Sequence, residues 1–152
     1  MRGASNTKRH AFTELRFDLH VEDGWPPVSV ENVPATVKGN GWRITAPPLF
    51  VGSLSVGDVI AAVINDRGSV ASYTHIERSE NSTLWLLRTA SPNNIHSVLA
   101  ALRAKGCNTV RLEDFGCYSV DVPATVSASE LDAVLSELDT DAAAVAYPSF
   151  RH

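Results

Sequence analysis

Thr83-Leu84-Trp85-Leu86-Leu87-Arg88, then Asn93-Asn94-Ile95-His96-Ser97-Val98-Leu99-Ala100-Ala101-Leu102 running on to Gly106, then Asn108 to Leu112 and Cys117 to Val122: these segments decide the fold. The first run is short, apolar and free of turn residues, which predicts a buried strand. In the second, Ile95, Val98, Leu99 and Leu102 recur at intervals of three and four and so share one helix face. Asn93 can cap that helix, and Gly106 stands where a helix C-cap belongs. Asn108–Leu112 and Cys117–Val122 form a hairpin around Glu113-Asp114-Phe115-Gly116, and Pro123 stops it. Ser127 or Ser129 caps a second helix carrying Leu131, Val134, Leu135 and Leu138 inward, and Ala142 to Tyr147 is the last strand. The resulting order, β-α-β-β-α-β, is the ferredoxin-like one, with both helices on one face of a four-stranded antiparallel sheet.

The residues upstream read differently. Leu15, Phe17 and Leu19 alternate with Glu14, Arg16, Asp18 and His20, so Phe12 to Val21 is expected to hold a half-buried strand ending at Gly24-Trp25-Pro26-Pro27. Lys38-Gly39-Asn40-Gly41 is a turn signal inside a hairpin over Ala35 to Thr45, because Asn and Gly accept positive φ. Val28 to Val37 is apolar and β-branched but broken by Pro34. Val59–Ile64 and Val70–Glu77 are strands joined through Asn65-Asp66-Arg67-Gly68. The expected fold class is therefore α+β: a small antiparallel β-sheet or partial barrel, followed by a ferredoxin-like half. The expected boundaries are a flexible tail over 1–11, a β-rich subdomain over 12–80 and a ferredoxin-like subdomain over 81–152. The Ser79–Ser82 junction is too short for free tethering.

Composition sets outer limits. A chain of 152 residues, 44% apolar and 20% charged, can build a core without metal or disulfide. A net charge of −4, with Lys8-Arg9-His10 as its one dense basic run, argues against a nucleic-acid partner. Met1 to His10 lacks the apolar run of a secretory signal, and no stretch approaches the roughly 18 apolar residues of a membrane span. The expected compartment is the cytoplasm, with no membrane association and with reduced thiols. Cys107 and Cys117 have no C-x-x-C spacing. If Cys117 faces Leu112 across the hairpin, Cys107 lies about 17 Å away, too far for a disulfide. Burial is the expected role of both.

Trp25-Pro26-Pro27, Pro48-Leu49-Phe50, Gly57-Asp58-Val59, Ser79-Glu80-Asn81-Ser82-Thr83, Gly106 and Asp121-Val122-Pro123 follow one another in an order that resembles a bacterial family catalogued as a domain of unknown function. The resemblance spans about residues 22 to 147. It implies a bacterial, soluble protein and carries no activity.

Chemistry-bearing residues are sparse. His75 and Glu77 stand two apart on a predicted strand, as do His20 and Glu22, but neither pair has a third ligand, so no metal or cofactor is expected. There is no nucleophile-elbow pattern and no Gly-rich phosphate loop, and no catalytic residue is assigned. Asp58, His75, Glu77 and Asn81 form a candidate polar site, with Asp58 placed to accept turn N–H groups. Trp25 beside two prolines, and Leu49, Phe50 and Val51 in a loop, are large apolar residues that a turn does not require, and form a candidate partner-binding patch. The function expected is a non-enzymatic protein-binding module, such as a bacterial regulator or a toxin-neutralising immunity-type protein. The alternatives are a small-molecule-sensing regulatory domain and a small enzyme with a His/carboxylate or Cys site. Pairing of two copies is compatible with a ferredoxin-like half.

Overall fold

The structure is a computed structural model and describes residues 13–152. The expected tail over 1–11, and Phe12 of the expected first strand, lie outside the described residues. Among the described residues the fold is α+β, with two antiparallel sheets and two helices. The first sheet is a meander in the order β1-β2-β3-β4-β5, made of Thr13–Asp18, Val30–Lys38, Gly41–Ile44, Val59–Ile64 and Val70–Glu77. It curls until its outer strands meet at a single bridge, Arg16 to Ser69, where Asp18 also accepts from Ser69 Oγ at 3.0 Å. Leu15, Phe17, Val33, Ala35, Ile44, Leu54 and Ile60 fill the inside of the curl.

Pro34 does not interrupt β2 as its sequence suggested. Its carbonyl accepts from Thr45, just beyond the end of β3, so the missing N–H of proline faces a place where the neighbouring strand has stopped. Gly41 allows β3 and β4 to approach: a Cβ there would meet the Ile60 carbonyl oxygen at 2.5 Å.

The second sheet has the order β7-β8-β6-β9. Its strands are β6 (Ser82–Arg88), β7 (Asn108–Leu112), β8 (Cys117–Val122) and β9 (Ala143–Ser149), with helix α1 (Ile95–Ala104) between β6 and β7 and helix α2 (Ala128–Leu135) between β8 and β9. Ile95, Val98, Leu99 and Leu102 are all buried, with Leu84, Leu86, Val120 and Leu131 in the same core. The Asn93 side chain accepts the Ile95 N–H at 3.1 Å. Ser127 caps α2 in a reciprocal arrangement with Glu130. That helix is short, so Leu135 is only partly buried and Leu138 reaches the core from beyond its end.

Candidate functional site

The face of the second sheet turned away from the helices carries the features that matter. It divides along its length by what covers it. At one end lie Thr83, Ser119 and Ser149, polar yet buried. Each finds a partner in the connection between β3 and β4: Thr83 Oγ1 donates to the Leu54 carbonyl at 2.9 Å, Ser119 Oγ donates to the Pro48 carbonyl at 2.7 Å, and Ser149 Oγ meets Ser55 Oγ at 2.7 Å. Trp85 Nε1 also donates to Pro48, at 2.8 Å. From the other side, the Glu31 carboxylate accepts the backbone N–H groups of Leu49, Phe50 and Val51. Burial pushes the Glu31 carboxyl above its ordinary range, against the pull of these three donors. The β3–β4 connection is thus bonded to both sheets and fixes one against the other.

Beyond this seam no described residue covers the same face, and a cleft of about 320 Å³ remains. Its floor is Trp85, Leu87, Cys117, Ala144 and Ala146, and its opposite wall is Trp25, Pro26, Leu49 and Phe50. The space exists because the residues at its floor on β8 and β9 are small. Trp25 is held over it by a tight hairpin: Glu22 and Trp25 exchange both backbone hydrogen bonds, at 2.9 and 3.0 Å, around Asp23 and Gly24. Both turn residues have positive φ, 55° and 77°, as the primed two-residue turn requires. Trp25 stacks edge-on against Phe50 with centroids 5.9 Å apart and is 50% exposed. Of the four residues singled out in the sequence, Trp25, Leu49 and Phe50 line this one cleft, whereas Val51 packs against the core of the first sheet.

The candidate polar residues do not converge on one site. Asp58 is fully buried and accepts from Ser55 N–H at 3.0 Å, Ser79 N–H at 2.9 Å, His75 Nε2 at 2.9 Å and two nitrogens of Arg151 at 2.6 and 2.9 Å. Burial pushes its carboxyl up, but the donors, Arg151 foremost, outweigh burial and hold it at about 2. Glu77 does not join His75. Ile76 is an extra residue between the pairs Ile60–His75 and Val59–Glu77, and this bulge breaks the alternation that would have aligned the two side chains. Asn81 donates instead to Asp121, 3.1 Å away, a carboxylate whose affinity for its proton is raised by burial. Arg151, which completes the Asp58 network, has no local sequence signal, since it lies 93 residues from its partner.

A second polar cluster joins Glu113 to Tyr118 Oη at 2.6 Å, Arg88 Nη1 at 3.2 Å and His96 Nε2 at 3.2 Å. The Tyr118 bond is the chief reason the Glu113 carboxyl lies below its ordinary range, while burial first and Glu113 second push the Tyr118 phenol to about 12. Ser82 Oγ lies 2.6 Å from His152 Nδ1, but Ser82 is fully buried and its oxygen accepts the Arg151 N–H, so this pair serves packing. Cys107 and Cys117 are buried and free, and burial raises the Cys107 thiol to about 11. Cys117 faces Leu112 across the hairpin, as the turn residues implied. Among the described residues no group of three or more His, Cys, Asp or Glu side chains could hold a metal, and no helix is long and apolar enough to cross a membrane.

Residues 31–146 match the family described as Domain of unknown function (DUF4265). The chain belongs to that family. It is also similar to a solved structure described as a novel crystal structure of a hypothetical protein from Neisseria gonorrhoeae, with a TM-score of 0.70 and 18% identity over 93% of this chain and 96% of that one. At that identity the likeness concerns the fold alone. No curated protein matches the chain.

Proposed function

We propose that this member of the DUF4265 family is a non-catalytic binding module that seats an apolar side chain of a partner protein in the cleft between its two sheets. The observation that carries the reading is the cleft itself. Its volume of about 320 Å³ lies at the lower end of the about 300–1,000 Å³ typical of ligand pockets. Its walls are apolar, and a rigid hairpin holds a half-exposed tryptophan at its mouth. Aromatic residues set around a desolvated pocket are what protein interfaces use as anchor points. We read the element order and the strand order β7-β8-β6-β9 as the ferredoxin-like arrangement, whose helix-free face offers such a surface.

The test is a titration of the full chain with the N-acetyl amides of leucine, phenylalanine and tryptophan, followed by amide NMR shifts. One buried side chain contributes only about 1.5–3 kcal/mol, so weak, saturable binding is expected. The shifting amides should be those of Trp25, Leu49, Phe50 and Ala144 to Ala146. Ala146→Trp, which fills the cleft from an exposed position, should abolish them while the melting temperature holds. Shifts centred on any other surface, or unchanged by Ala146→Trp, would end the proposal. A second reading, a small-molecule-sensing domain, draws on the position of the cleft at the junction of the two sheets. It predicts that a free aromatic or aliphatic acid binds more tightly than the matching amides.

A further inference from the structure

Among the described residues, β9 lies at the edge of its sheet and is paired only with β6. Thr89 N–H donates to the Ala142 carbonyl and Arg88 N–H to the Gly116 carbonyl. In an antiparallel ladder this alternation continues along both strands. Ala144 and Ala146, opposite Leu87 and Trp85, therefore spend their backbone groups on β6. Those of Ala143, Val145 and Tyr147 point off the free edge. The two alanines whose backbones face inward are also the two whose side chains line the cleft. The open edge and the cleft are thus parts of one surface. Past Tyr147 the edge closes, since the Pro148 carbonyl accepts from Ser53 at 3.0 Å.

Acidic side chains stand on the elements that carry this surface. Glu22 and Asp23 stand on the hairpin that carries Trp25, Asp114 in the turn leading to Cys117, and Asp141 two residues before β9; all four are exposed. Among the described residues the basic side chains on the strands at that end are Arg88, which Glu113 already engages at 3.2 Å, and Arg111, which stands opposite Tyr118 and so belongs to the helix side of the sheet, away from the cleft. An acidic rim around an apolar pocket is complementary to a basic segment with an apolar centre.

We propose that the occupant of the cleft is an extended segment of a partner protein that adds as a strand to the edge of β9, places one large apolar side chain beneath Trp25 and carries lysine or arginine at the flanking positions. This rests on the reading of the cleft as a partner site and specifies that partner. Strand addition supplies backbone hydrogen bonds for affinity and leaves alternate side chains to give specificity. A side chain facing the cleft has its nearest same-face neighbours two residues away, which sets where the basic residues fall.

The probe is a blocked peptide, Thr-Lys-Thr-Phe-Thr-Lys-Thr, titrated into the full chain beside Thr-Glu-Thr-Phe-Thr-Glu-Thr and a version of the lysine peptide N-methylated at the two threonines next to phenylalanine. The lysine peptide should bind about tenfold more tightly than the glutamate peptide, and the gap should narrow as salt screens the rim. Its binding should shift the amides of Ala143, Val145 and Tyr147 and be lost on N-methylation. Combining Glu22→Gln, Asp23→Asn and Asp141→Asn should remove most of the charge preference. Equal binding of the glutamate peptide refutes the acidic-rim part, and equal binding of the N-methylated peptide refutes strand addition. In either case the cleft reading survives if the amino-acid amides still shift the cleft residues. If no peptide binds while those amides do, the extended-segment proposal fails alone. If neither binds, both fail.

Discussion

Replacing Asp58 by asparagine tests how the two sheets are held together. The carboxylate is fully buried and receives five hydrogen bonds, two of them from the Arg151 guanidinium and two from backbone N–H groups. Asparagine keeps the size but offers one acceptor oxygen and no charge, which strands Arg151 and places an amide N–H₂ against its donors. Breaking a buried pair in this way costs about 3–5 kcal/mol. Part of that cost depends on pH in a way the structure specifies. The folded carboxyl titrates at about 2, against about 3.9 for an unperturbed aspartate. A depressed carboxylate adds stability that is present above the unfolded value and is lost as the pH falls toward the folded one. That share is about 2–3 kcal/mol near neutrality and is mostly gone by about pH 2. Urea unfolding of both proteins at steps from about pH 6 to about pH 2 would measure it, because the other carboxylates titrate alike in the two and cancel in the difference. The gap in stability should shrink by about 2–3 kcal/mol across that range. A gap that stays constant with pH, or a loss under about 1 kcal/mol near neutrality, would show that the Arg151–Asp58 network does not form as described.

The two helices should differ in what their leucines contribute. Leu99→Ala, at a site 2% exposed, should cost about 2–5 kcal/mol, whereas Leu135→Ala, only partly buried at the end of α2, should cost less than about 2 kcal/mol in the same denaturant assay. Cys107 should behave as a packed group. With its thiol raised to about 11 by burial, a disulfide-exchange reagent should leave Cys107 unlabelled until urea unfolds the chain, and chelator or reductant should leave the melting temperature unchanged. Prompt labelling of Cys107 in the native protein would mean that the second sheet opens far more readily than its packing implies.

The helices were legible because each has one face against one sheet, so a periodicity of three and four states the whole of its environment. Ile95, Val98, Leu99 and Leu102 satisfy that rule and are all buried. Of the curled sheet, β1 and β5 were legible for the same reason, read at a period of two, whereas β4 showed as an apolar run and the β2–β3 hairpin by its turn residues. Pro34 and Ile76 mark where the rule fails. At each, the neighbouring strand has ended or slipped by one residue, and a single strand's sequence does not record its neighbour's register. The Asp58 network was half legible: a Gly-Asp turn announces a carboxylate that accepts N–H groups, and Ser55 and Ser79 supply them. Its strongest partner, Arg151, arrives from the far end of the chain.

The cleft was legible on one wall only, and the composition of the second sheet explains why. A sheet covered by apolar layers on both faces reads as a continuous apolar run. Here Leu84, Leu86 and Val120 face the helices, while the opposite face alternates between buried Thr83 and Ser119 and the small residues Cys117, Ala144 and Ala146. In sequence, a serine on a strand looks like a residue for water. In the fold, Ser119 is fully buried because the Pro48 carbonyl, 71 residues away, needs its hydroxyl. Alanines on an edge strand look like filler, yet their small size leaves the space beneath Trp25. A wall made of large side chains announces itself, as Trp25, Leu49 and Phe50 did. The part of the floor whose side chains are too small to fill their place, on β8 and β9, becomes visible only when the opposing wall is set above it.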